Sequence, residues 1–347
     1  MQVIFIDEEY NLMLYSKITR EGYIMILEAK KEYVFLYNTQ APSCHASTVL
    51  PLADGTVLCA WFAGQREGAD DVGIWTSRRK DGTWSEPLRI SEERDVAHWN
   101  PVLHLREDGK IILYYKYGQT IPNWITKYVI SEDNGQTWSA PCELVPGDTE
   151  GGRGPVKNKC IRLLDGTVLA PASTEQNKMW IPFIDRSEDD GLTWQKQTPM
   201  ERPKYRRMWV NMIQPTLWQS ADQSVHCLLR TNQGAVYRSD SEDLGITWCK
   251  PYRTALPNNN SGLDLTQDSK GNLWLLYNPV NQNWGDRTPL TLAVSKDDGE
   301  TFKNVINLEV NPGEYSYPAI TCVNDKLYLT YTHLRERVAY WEITPEL

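Results

Sequence analysis

The chain has 347 residues, of which 41% are hydrophobic, and a formal net charge of −9. Such a chain can bury a sizeable core, and its acidic balance without any basic run argues against nucleic acid and anionic membranes as partners. No apolar run approaches the length of a membrane span, and the opening MQVIFIDEEY is acidic where a secretion signal would be basic and then apolar.

Residues 1–40 hold three short apolar runs, VIFI, YIMIL and YVFLY. From Cys44 onward one unit can be laid over itself six times. CHASTVLPLADGTVLCAWFAG (44–64) predicts a strand, an Asp-Gly turn and a second strand. WNPVLHLREDGKIILYYKYG (99–118), KNKCIRLLDGTVLAPAST (157–174), IQPTLWQSADQSVHCLLRT (213–231), SGLDLTQDSKGNLWLLYNP (261–279) and YPAITCVNDKLYLTYTH (317–333) repeat it. In the first five units a third apolar run follows, and then an octapeptide turn. That turn reads SEDNGQTW at 131–138, SEDDGLTW at 187–194, SEDLGITW at 241–248 and SKDDGETF at 295–302, with a worn copy, SRRKDGTW, at 77–84. The starts are spaced by 54, 56, 54 and 54 residues. In each turn the Asp is suited to accept backbone amides, the Gly to take positive φ, and the aromatic to pack back between strands.

A repeat of four antiparallel strands at this period predicts an all-β, six-bladed β-propeller over residues 1–347 as a single domain. The sixth unit ends after three strands at VAYWEITPEL, and YVFLYN (33–38) is the expected source of its fourth. The seven cysteines are scattered without CxxC spacing, and Cys59, Cys160 and Cys227 lie within apolar runs. The expectation is a reduced, cytoplasmic protein. His45, His98, His104, His226 and His333 show no ligand spacing, and no GxGxxG, P-loop or GxSxG motif occurs, so neither metal nor cofactor is expected.

Ser-x-Asp-x-Gly-x-Thr-aromatic at propeller spacing resembles the Asp-box, or bacterial neuraminidase repeat, of the sialidase-like superfamily. The resemblance covers nearly the whole chain. It implies a pocket where the inner strands meet, with three arginines on a sugar carboxylate, a Tyr–Glu nucleophile and an Asp acid/base. A fork of guanidinium donors matches a carboxylate in charge and shape, and a tyrosine nucleophile needs a neighbouring base. By position, the second and third arginines match Arg230 in HCLLRTNQG and Arg287 in NQNWGDRTP. The nucleophile matches Tyr315 in GEYSYPAI, with Tyr317 two residues on. The acid is offered by Glu67, Asp70 and Asp71 in GQREGADDVG. Two places depart from the pattern. His45 stands where the first arginine belongs, as a binder or base, and Met212 where the Glu belongs.

Further candidates come from the residues themselves. GGRGPVKNK puts Arg153, Lys157 and Lys159 at the opening of the third unit as a positive rim. Asn100, Asn158, Glu175, Gln214 and Asn278 are placed to meet sugar hydroxyls. The function implied is an exo-acting glycoside hydrolase taking an anionic carbohydrate, sialic acid or a related sugar. The departures at His45 and Met212 keep open a lyase or rhamnosidase-like enzyme on uronate-containing oligosaccharides, and a non-catalytic glycan-binding propeller. Oligomeric state is not legible.

Overall fold

The computed structural model describes residues 2–7, 12–18, 24–36, 41–148 and 150–346, with side chains for those of them from 28 to 345. Each full octapeptide turn is closed by its own side chains. Ser187 Oγ donates to Asp189 Oδ1 (2.8 Å), which also accepts the Thr193 amide (2.8 Å), while Oδ2 accepts the Thr193 hydroxyl (2.6 Å). The same bonds recur around Asp133, Asp243 and Asp297. The worn copy is simpler: Lys80 pairs with Thr83 around Asp81 and Gly82, both at positive φ, as a two-residue hairpin. The turns also join neighbouring sheets. A Cβ on Gly191 would stand 2.3 Å from the Tyr114 hydroxyl of the preceding blade, which instead donates to Gly191 O (2.6 Å).

Six antiparallel sheets form the blades of a propeller. Blade 1 runs Ser43–Pro51, Val57–Gly64 and Gly73–Lys80, with short outer strands Thr83–Trp84 and Leu88–Arg89. Blade 2 is His98–Leu105, Ile111–Tyr117, Ile125–Ser131 and Cys142–Glu143. Blade 3 is Ile161–Arg162, Val168–Gln176, Met179–Ser187 and Gln195–Lys196. Blade 4 is Met212–Gln219, Val225–Thr231, Ala235–Ser241 and Tyr252–Pro257. Blade 5 is Asp264–Gln267, Leu273–Tyr277, Leu290–Ser295 and Lys303–Glu309. Blade 6 begins with Tyr315–Val323, Lys326–His333 and Arg337–Glu346.

The strand that pairs with Arg337–Glu346 is Ile24–Tyr33, in a register from Ala339↔Tyr33 to Glu346↔Ile26. YVFLYN contributes only its first two residues to that pairing, Tyr33 and, through its amide to Val338 O (3.0 Å), Val34. The last two residues of that run fall within 37–40, which lie outside the described residues. Leu12–Ile18 and Gln2–Asp7 extend the same sheet outward, so blade 6 has more than four strands.

The apolar core lies between adjacent sheets, because each interior strand is covered on both faces. Val57–Gly64 is buried along its whole length. Trp274, Leu292, Ile320, Leu329 and Trp341 form one such layer between blades 5 and 6. Near the axis a single carboxylate links four blades. Asp264 accepts from Lys159 Nζ (3.0 Å), Thr216 Oγ1 (2.7 Å) and the amide of Ile320 (3.0 Å).

Candidate functional site

Four inner strands bulge at corresponding places. Ala46-Ser47, Asn100-Pro101, Gln214-Pro215 and Tyr317-Pro318 each put two residues opposite one on the neighbouring strand. The first residue of each bulge has positive φ (54°, 40°, 55° and 52°). In three of them proline follows, where its missing N–H loses no ladder bond. Non-glycine residues in this region cost of order 1–3 kcal/mol each, and a bulge re-aims its side chain. Here it brings Gln214 and Tyr317 together.

Arg230, at the end of blade 4's second strand and 3% exposed, is the hub. Its Nη1 donates to the Tyr317 hydroxyl (2.7 Å) and to Gln214 Oε1 (3.2 Å), and its Nε to Asn260 Oδ1 (2.9 Å). Gln214 Nε2 stands 3.5 Å from the same tyrosine oxygen. Met212, at the place expected for a carboxylate, is instead in the apolar core of blades 3 and 4, so the neighbour of the phenol is a neutral amide. Trp180 and Trp284 flank the Arg230 guanidinium at 5.8 Å each, edge to face with one another.

Arg287 lies 5.7 Å from the Tyr317 ring centre and donates to Glu314 (2.6 Å) and Ser316 Oγ (3.1 Å). A third guanidinium arrives from a turn that the sequence did not single out. Arg335, in left-handed backbone between the last strands of blade 6, bridges Glu314 (3.0 Å) and Glu67 (2.6 Å). Burial would raise the Glu314 carboxyl, but Arg287 and Arg335 outweigh it and hold it below the usual range.

The two tyrosines separate. Tyr315 is buried in the layer between blades 5 and 6, its ring against His333 at 5.1 Å. Burial pushes its phenol up. Tyr317 lies on His45, ring centres 4.1 Å apart, with Arg230, Arg287 and Lys157 around it. His45 is 1% exposed. Burial, reinforced by Arg335, Arg287, Arg230 and Lys157, holds it well below the usual histidine range. The Ala46 amide donates to Thr332 Oγ1 (3.2 Å), and the same hydroxyl shares a hydrogen bond with His45 Nδ1 (2.8 Å).

The three candidate acids also part. Glu67 belongs to the cluster through Arg335. Asp71 ties its own loop by accepting the Gln65 amide (2.9 Å), and exposed Asp70 accepts from the Gln119 side chain (2.6 Å). Glu175, near the end of blade 3's second strand, is partly buried and is raised by that burial. Arg230 opposes the shift and Glu67 adds to it.

The expected positive rim is not a rim. Arg153 is clamped to buried Asp185 (2.9 Å), and Lys159 to Asp264, because charges at these depths are stable only when paired. Lys157 is buried and donates to Asn158 Oδ1 (2.7 Å) and to Pro318 O. Burial, chiefly, brings Lys157 down to about 7, with Asp264 opposing. Asn158 Nδ2 donates to the Gln214 and Pro215 carbonyls (3.1 and 2.9 Å). Lys157 and Asn158 therefore hold the two bulges in place rather than facing solvent. Asn278 likewise braces a loop, donating to the carbonyls of Arg287, Pro289 and Tyr315. Asn100 occupies the bulge of blade 2 and is 6% exposed.

Among the described residues no three His, Cys, Asp or Glu side chains gather to hold a metal ion. A groove of about 600 Å³ between blades 4 and 5 is lined by Arg238, Tyr252, Tyr277 and Phe302 and shares none of the residues above.

Residues 55–330 match the family described as BNR repeat-like domain. Over 232 residues the chain is 27% identical to a sialidase of Paraclostridium sordellii, an alignment covering 57% of this chain and 55% of that one. The chain spans about half the length of the curated relatives it matches. A solved Dyadobacter fermentans protein of unknown function superposes with a TM-score of 0.74 at 15% identity, over 92% of this chain and 99% of that one. Trypanosoma rangeli sialidase in complex with the inhibitor DANA gives 0.70 at 15% identity, over 90% and 59%. At such identities the structural likeness is one of fold. The match over residues 55–330 makes this chain a member of the BNR repeat-like domain family, within the sialidase-like superfamily.

Proposed function

We propose that this protein is an exo-acting glycosidase of sialidase type that removes a terminal acidic sugar from a glycan. The observation that carries this reading is the placement of Arg230 and Arg287 around one tyrosine, with Arg335 joined to Arg287 through Glu314. A sugar carboxylate seated there replaces Glu67 and Glu314 as acceptor for part of the guanidinium donors, and bidentate pairing fixes the ring's orientation. Tyr317 Oη is the nucleophile. A neutral phenol approaches an anionic sugar without the repulsion a carboxylate would meet, and Arg230 Nη1 stabilises charge on its oxygen. Neutral His45 supports the ring from behind, and Trp180 and Trp284 give the pocket an apolar wall against a sugar face. The carbohydrate-binding sialidases among its relatives support the same assignment.

Gln214 favours a second reading. With an amide rather than a carboxylate beside the phenol, Tyr317 lacks the base that a displacement uses; in a uronate elimination His45 or Tyr317 takes the C5 proton while the bond from C4 to the leaving oxygen breaks and its electron pair stays with that oxygen. A panel of sialosides, other nonulosonic acid glycosides and uronate-capped oligosaccharides separates the two. Released sugar acid without a new ultraviolet chromophore supports hydrolysis, and a growing unsaturated product supports elimination. Binding without turnover of any of them overturns both and leaves a glycan-binding propeller.

A further inference from the structure

The hydrolytic reading needs a proton for the departing oxygen, and the loop carboxylates expected to supply it are engaged. Glu67 accepts Arg335 at 2.6 Å, as a carboxylate in an ion pair, and Asp71 accepts a backbone amide with both oxygens. An ionised carboxylate is an acceptor only. Asp70 is exposed and bonded to Gln119.

Glu175 is placed differently. It sits on blade 3 directly across the hairpin from Trp180, whose ring lies over the Arg230 guanidinium. The charged groups it faces are Arg230 from blade 4 and Glu67 from the loop of blade 1. No described residue gives its carboxyl a hydrogen bond or a salt bridge. It is a partly buried carboxyl that the charge of Arg230 reaches.

Resting on the hydrolytic reading of this pocket, we infer that Glu175 is the general acid and base of the reaction. As Tyr317 Oη bonds to the anomeric carbon and its proton passes to solvent, the glycosidic C–O bond breaks, its electron pair stays with the leaving oxygen, and that oxygen takes the proton of the Glu175 carboxyl. The resulting carboxylate then removes a proton from the water whose oxygen bonds to the anomeric carbon as the bond from that carbon to Tyr317 Oη breaks; the phenolate regains its proton from solvent, and Glu175 is again the acid. Burial, which raises Glu175, and the negative charge of Glu67 both favour the protonated form at rest, while Arg230 favours the ionised one. A substrate carboxylate occupying Arg230 weakens that last influence, so an acidic sugar primes its own acid.

The test compares wild type with Glu175→Gln on two substrates carrying the same sugar acid. One is a 4-methylumbelliferyl α-sialoside, whose leaving group departs without a proton; the other is sialyllactose, whose leaving group needs one. The same pairing is made on whichever acidic glycoside the panel identifies. The expected result is a loss of about 10²–10⁴-fold in kcat/KM on the sugar-linked substrate, the quantity compared on both substrates because it reports bond cleavage and not the later water attack that the two share. The loss on the aryl substrate is far smaller, and the alkaline limb of the pH profile disappears. Retained aryl turnover also shows that the variant is folded. Equal losses on both substrates, or none, overturn the role of Glu175 while leaving the glycosidase intact. Wild type inert on every acidic glycoside overturns the glycosidase reading and this assignment with it.

Discussion

Lys157 of blade 3 donates to the carbonyl of Pro318 in blade 6, so a bond between non-neighbouring blades holds the bulge that aims Tyr317. Gly262, whose Cβ would stand 3.2 Å from Lys157 Cε and 3.5 Å from Tyr317 Cα, leaves room for that reach. Lys157→Met keeps the apolar stem and removes the donor. The expected outcome is a fall in kcat of about 10²-fold with little change in KM, since misplacement of a reacting group by an ångström has that scale. Wild-type kcat in the variant would show that the tether is idle.

Tyr315 and Tyr317 are predicted to separate in the same assay. Tyr317→Phe deletes the oxygen that accepts from Arg230, and activity on the acidic glycoside should fall by more than about 10³-fold. Tyr315→Phe keeps the ring that lies against His333, and should leave turnover near wild type. The reverse pattern would move the nucleophile into the layer between blades 5 and 6.

What was legible in the sequence was what is local. The octapeptide turn encodes its own hydrogen bonds within eight residues, so its period gave the blades directly. Arg230 and Arg287 were singled out through the resemblance, one at the end of an inner strand and the other in a loop shortly before such a turn. Arg335 was not, since HLRERV reads as a solvated turn, and its place beside Glu67 depends on blade 6 meeting blade 1. The Asn-rich PNNNSG reads as a loop, yet it buries Asn260 beneath Arg230 for the same reason. GPVKNK read as a basic surface because nothing in the local sequence shows a lysine being carried into the axis, where burial rather than charge governs it. Gln214 was visible as a polar residue before a proline, but its approach to the phenol needed the paired bulges of blades 4 and 6.

Arg335 is the sharpest test of the pocket's charge. Arg335→Ala leaves Glu67 and Glu314 to face the substrate carboxylate with one guanidinium fewer, so KM for the acidic glycoside should rise. Charged hydrogen bonds are worth about 1.5–3 kcal/mol, or roughly 10- to 150-fold. Arg335→Lys should recover only part of this, because an ammonium lacks the fork that spans two carboxylates. An unchanged KM in both variants would place the sugar carboxylate elsewhere.

Lys116 offers a prediction about pH that does not depend on the reaction. Its ammonium is fully buried, donating to Thr126 Oγ1 and to the Arg153 carbonyl at 2.6 Å each. Burial brings it down to about 7, against the opposing pull of Asp185 and Asp148. An unfolded lysine holds its proton to about pH 10.4. Between roughly pH 7 and pH 10 the unfolded chain therefore binds more protons than the folded one, and stability from this group rises with pH. It is complete above the unfolded value and lost as pH falls toward 7. Buried thiols such as Cys59 and Cys227, pushed up by burial, act with the opposite sign once unfolded cysteines ionise, so wild type alone does not isolate the lysine. Lys116→Met does. The variant should be more stable than wild type at pH 7 in urea unfolding, and that advantage should shrink toward pH 9 by on the order of 1.4 kcal/mol per pH unit. A difference between the two proteins that stays constant from pH 7 to pH 9 would mean that Lys116 keeps its charge throughout, with the attraction of Asp185 and Asp148 outweighing its burial.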